Sequence, residues 1–129
     1  KKFKIDMSTK VETLKAVLER LGTIGGIKAS SIISADGIPM VSLIPSGINE
    51  NTFAAMLASM VGSAETALKS LGSKSFERVI AESSDTRVVA IKAGENAILS
   101  IMLDPSSNYG LILLEAKKAA DEIAGIISQ

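Results

Sequence analysis

The sequence has no cysteine and no histidine. Without cysteine there is no disulfide and no thiolate chemistry, and without histidine the usual general base and the commonest transition-metal ligand are missing. Zinc sites and most catalytic triads are thereby excluded. An excess of charge of either sign is also lacking: fourteen basic and fourteen acidic residues cancel. The phosphate attraction that dominates nucleic-acid binding therefore has no net charge behind it, and nucleic acid is not an expected partner. Long apolar runs are absent as well. The N-terminus lacks the apolar core of a signal peptide, and no stretch reaches the roughly 18 unbroken apolar residues of a membrane span. The expected location is cytoplasmic, without stable membrane insertion.

What is present is an ordinary globular composition. The 129 residues are 47% hydrophobic and 22% charged, enough for one domain that buries roughly two-thirds of its unfolded surface. Lys1, Lys2 and Lys4, interleaved with Phe3 and Ile5, read as a flexible basic tail over residues 1–8. Residues 9–129 read as the folded domain, with no internal repeat and no linker.

Hydrophobic periodicity divides this domain into eight elements. Thr9 and Glu12 have capping-box spacing, and Val11, Leu14, Val17, Leu18 and Leu21 recur at helical intervals until Gly22, which predicts a first helix over 9–22. Residues 27–34 and 38–43 read as strands of a hairpin around Ala35-Asp36-Gly37, and Pro39 marks the second as an edge. Asn49 is placed to cap a long second helix that ends near Leu71-Gly72. Three strands follow over 75–82, 86–93 and 97–103, and then a last helix with Ile112, Ala116, Ala119, Ala120, Ile123 and Ile127 on one face. The run 97–103 does not alternate, so this strand is expected to be buried on both faces, with helices on either side of the sheet. The expected architecture is a three-layer αβα unit of order αββαβββα.

No catalytic, cofactor or metal site emerges from the remaining motifs. Gly22, Gly25 and Gly26 follow a helix and precede a strand, the reverse of a phosphate loop. Ser63 lacks both the nucleophile-elbow pattern and a histidine to activate it. The oxygens of Asp104, Ser106, Ser107 and Asn108 are accounted for by helix capping. Arg78 and Arg87 fall within strands, where cross-strand pairing is the expected role. Glu115, Lys117, Lys118, Asp121 and Glu122 form a solvated helix face.

The second helix is less ordinary. Phe53, Leu57, Met60, Val61, Ala64, Leu68 and Leu71 form a core stripe. The flank beside it, Thr52, Ala55, Ser59, Gly62, Ser63, Thr66 and Ser70 with Met56 at its border, is small-sided and uncharged. Small residues let two helices approach closely, so this flank is expected to pack on the same helix of a second subunit across a twofold axis. Asn51, Glu65 and Lys69 lie on the narrow remaining sector, which is left for another partner.

The order of elements resembles that of the roadblock/dynein light chain family. So do Ser34-Ala35-Asp36-Gly37-Ile38-Pro39, Ala54-Ala55-Met56 and the run from Asp104 through Pro105, Ser106, Ser107, Asn108, Tyr109 and Gly110 to Leu111. The resemblance covers residues 9–127. It implies a roadblock/profilin-like fold: a five-stranded antiparallel sheet with the second helix on one face and the first and third on the other. It also implies a homodimer in which the strand at 75–82 and the second helix meet their copies through Thr52, Ala55, Met56, Ser59, Ser63, Thr66, Phe76, Arg78 and Ile80. Members of the family are non-catalytic partners or regulators of small Ras-like GTPases, and some are motor or scaffold light chains. The function expected from it is a homodimeric GTPase adaptor that modulates the nucleotide cycle or localisation of its partner. A scaffold or a small-molecule-sensing module is the alternative.

Overall fold

A computed structural model describes residues 7–129. Its elements are α1 (Met7–Leu21), β1 (Ile27–Ser34), β2 (Pro39–Leu43), α2 (Glu50–Ser70), β3 (Arg78–Glu82), β4 (Arg87–Lys92), β5 (Ala97–Leu103) and α3 (Tyr109–Ile127). The order αββαβββα is the expected one. Of the basic tail expected over 1–8, residues 1–6 lie outside the described residues, whereas Met7 and Ser8 already belong to α1. Thr9 is therefore inside the helix and not its cap.

The strands form one antiparallel sheet in the order β2-β1-β5-β4-β3. Pro39 opens an edge strand, as its missing N–H requires. The other edge, β3, begins three residues later than the sequence suggests. Continuing its register with β4 would set Ser75 and Phe76 against Gly94 and Ala93, and there β4 has already turned, with the Ala93 N–H donating to the carbonyl of Ala97.

β5 lies at the centre and supplies both cores. Leu99, Ile101 and Leu103 point towards α1 and α3, where they meet Leu14, Leu18, Ile112, Ala116 and Ile123. Ile98 points the other way and, with Ile33 and Ala90, forms the floor for Ala54, Leu57 and Val61 of α2. The continuous apolar run thus means burial on both faces. Two asparagines start the helices that flank this sheet: Asn49 Oδ1 accepts from the Thr52 N–H at 3.0 Å, and Asn108 Oδ1 accepts from the Leu111 N–H at 3.1 Å. Among the described residues no helix is long and apolar enough to cross a membrane.

Candidate docking surface

α2 rests on the sheet through one side and leaves the other bare. Thr52, Ala55, Met56, Ser59, Ser63 and Thr66 are all exposed, as is Gly62, where an added Cβ would meet nothing within 4 Å. Met56 is 61% exposed. The small-sided flank is a real surface, free of charge along four turns.

Two leucines assigned to the core stripe are not in the core. Leu68 and Leu71 are 38% and 82% exposed. The sheet floor beneath α2 meets Ala54, Leu57 and Val61, so the last turns of the helix overhang it. Phe53 and Met60 are only half-buried, and with Met56, Leu57, Ala81 and Val88 they line an apolar groove of about 170 Å³ between α2 and the β3 side of the sheet. The sequence signal for this groove was the Met56, Met60 pair one helical turn apart. Its other wall, Ala81 and Val88, stands opposite across β3 and β4 and carries no mark in the sequence.

The three residues that the resemblance carries to the dimer interface from the 75–82 segment divide between two faces. Phe76 packs against the α2-side core. Arg78 and Ile80 pair with Ile91 and Val89, whose side chains belong to the α1/α3 core, so both project from the opposite side of the sheet. A contact along the β3 edge would include them; a contact between helices alone would not. The two arginines also differ from one another. Arg87 meets Glu82 across the strands at 3.0 Å and lies over the Tyr109 ring at 4.5 Å, as its strand position led us to expect. Arg78 instead pairs with its sequence neighbour Glu77 at 3.3 Å, because the residue opposite it is apolar.

The partner sector is broken up. Asn51 and Lys69 are exposed but lie roughly 27 Å apart along the helix at 1.5 Å per residue. Glu65 is half-buried, with its carboxylate 3.2 Å from the Lys92 ammonium and 3.8 Å from that of Lys69. Burial would lower the pKa of Lys92, but the hydrogen bonds and charges of Glu65 and Glu95 outweigh it and hold the ammonium above its ordinary value. Glu65, expected in the sector left for a partner, therefore ties α2 to β4 within the chain.

At the start of α3 the loop oxygens are used locally. Asp104 Oδ1 accepts from the Ser106 N–H at 2.9 Å and from its hydroxyl at 2.8 Å, and Ser107 Oγ donates to the Asp104 carbonyl at 2.6 Å. The two bonds from Ser106, with the charge of Lys28, hold the Asp104 carboxyl below its ordinary pKa. A depressed folded-state pKa contributes stability above the unfolded value and loses it as pH falls through the folded one. Asp104→Asn is therefore expected to lose less stability between neutral pH and about pH 3 than the parent chain, which acid titration of the melting temperature checks.

A pocket between α2 and the β1–β5 part of the sheet holds about 10 Å³, against the roughly 300–1,000 Å³ of a small-molecule site. The larger groove, about 500 Å³, lies open on the far side between α1 and α3 and is bridged by the 2.7 Å Arg20–Glu122 ion pair.

The Roadblock/LC7 domain pattern matches residues 13–103, which hold all five strands, α2 and part of α1. The chain belongs to the Roadblock/LC7 family. An uncharacterised protein of Methanocaldococcus jannaschii is 32% identical over 107 residues, which cover 83% of this chain and 93% of that one. This Roadblock/LC7 chain also superposes on an MglB of tetrameric arrangement with a TM-score of 0.84 at 24% identity, over 91% of this chain and 89% of the other. MglB of Myxococcus xanthus gives the same TM-score of 0.84 at 23% identity, over 90% and 95% of the two chains. At such identities the structural likeness is one of fold.

Proposed function

We propose that this Roadblock/LC7 domain is a non-catalytic homodimeric adaptor of the cytoplasm that binds a small Ras-like GTPase and modulates its nucleotide cycle or location. The observation that carries the proposal is the bare face of α2: uncharged, built of small residues, and continuous with an apolar groove and the open edge of β3. An edge strand left unpaired invites another strand, and a groove of methionine and phenylalanine loses contact with water only when a second surface covers it. A twofold copy does both at once, placing Thr52, Ala55, Met56, Ser59, Ser63 and Thr66 against their equivalents and Arg78 and Ile80 along the paired edge. The tetrameric arrangement of the MglB neighbour is in keeping with self-association on this fold. The GTPase half rests on the family alone, with Asn51, Lys69 and the neighbourhood of Glu65 as the surface left to a partner.

The two halves separate experimentally. Ser59 is exposed at the middle of the flank, so Ser59→Arg is expected to turn a dimer into a monomer in light scattering while leaving the circular dichroism spectrum unchanged. A parent chain that is monomeric at every concentration would remove the dimer. Small GTPases loaded with GDP or with a non-hydrolysable GTP analogue, passed over the immobilised domain, are expected to be retained in one nucleotide state. Loss of both forms in the flow-through removes the GTPase half and leaves the dimer standing.

A further inference from the structure

The sheet face under α2 carries hydroxyls where aliphatic side chains would ordinarily sit. Ser31 of β1 and Ser100 of β5 are 1% and 2% exposed and stand opposite each other in the strand register, so they project from the same face. That face is the one covered by α2, because Ile33 and Ile98, each two residues away, belong to the cluster packed against Ala54 and Leu57.

A buried hydroxyl keeps its desolvation penalty unless something bonds to it. Ser31 Oγ makes no hydrogen bond to any protein group, its cross-strand neighbour Ser100 included. Both serines line the 10 Å³ pocket, together with Ile44, Phe53 of α2 and Met102. Such a volume is about that of one water probe, too small for any organic ligand and walled by two groups that each donate and accept.

We propose that a single water molecule binds in this pocket, bridging Ser31 Oγ and Ser100 Oγ, and forms part of the seat on which α2 rests. One water bonds to both hydroxyls at once, where the serines make no bond to each other. The site sits directly beneath Phe53, and Phe53 also lines the outer groove. The hydrated seat and the docking groove therefore share Phe53 as a wall.

A crystal structure of the domain at about 2 Å or better is expected to show an isolated density peak within roughly 2.6–3.1 Å of both hydroxyls. An empty pocket, or a peak that reaches only one serine, overturns the assignment. Ser31→Ala and Ser100→Ala are each expected to lower the melting temperature by roughly 2–5 °C. The double variant should lose less than the sum, since either substitution already strips the water of an anchor. A rise in melting temperature for Ser31→Ala, the result expected of a dry orphaned hydroxyl, or strictly additive losses, would also overturn it.

Discussion

Leu99→Ala is expected to lower the free energy of unfolding by about 3–5 kcal/mol, measurable as a fall in denaturant midpoint at constant slope. Leu99 is 0% exposed and occupies the middle of the central strand, with Ile32 opposite it on one neighbour and Ile91 on the other. Its side chain enters the core shared with α1 and α3. Paired strands on both sides hold the backbone in place, so the site has little freedom to collapse around the lost atoms, and the cost belongs near the upper end of the range. A change below about 1 kcal/mol would mean that β5 is not the central strand.

Gly37→Ala is expected to cost about 2–4 kcal/mol, while the same change at Gly47 costs about 1–2 kcal/mol, the backbone contribution by itself. Both glycines have positive φ, +90° and +95°, a region that L side chains rarely adopt. Their surroundings differ. Around Gly47 there is open space, whereas a Cβ at Gly37 would lie 3.1 Å from the Ala55 Cα, 3.2 Å from the Ala58 Cβ and 3.4 Å from the Ala54 carbonyl oxygen. Two of those three atoms are helix backbone and cannot rotate away. The hairpin tip, closed by the Gly37 N–H donating to the Ser34 carbonyl at 2.9 Å, abuts α2 where the docking flank begins. The Gly37 variant is therefore also expected to weaken self-association, because lifting α2 displaces Ala55 and Met56. Equal melting temperatures for the two variants would show that α2 does not press on the turn.

The sequence by itself determined the order of the eight elements, the Asn49 cap, the Asp36-Gly37 turn and the double-sided burial of 97–103. Each is written in local chemistry: the period of apolar residues, a side chain that can accept from a helix N-terminus, a residue that tolerates positive φ. The bare small-residue flank of α2 was legible for the same reason, since helical periodicity fixes which residues share a face.

Tertiary structure decided what lies across from each face. Leu68 and Leu71 have the spacing of core residues, yet α2 outruns the sheet floor and leaves them in solvent. Glu65 reads as part of a sector open to a partner and is taken by Lys92, a residue 27 positions away in sequence. Arg78 and Ile80 lie on the face of the sheet away from α2, because register with Ile91 and Val89 turns them there. The apolar groove itself has one wall from α2 and one from β3 and β4. Periodicity within an element assigns a side chain to a face, but only strand order and register assign the face to a partner, and these arise from contacts distant in the chain.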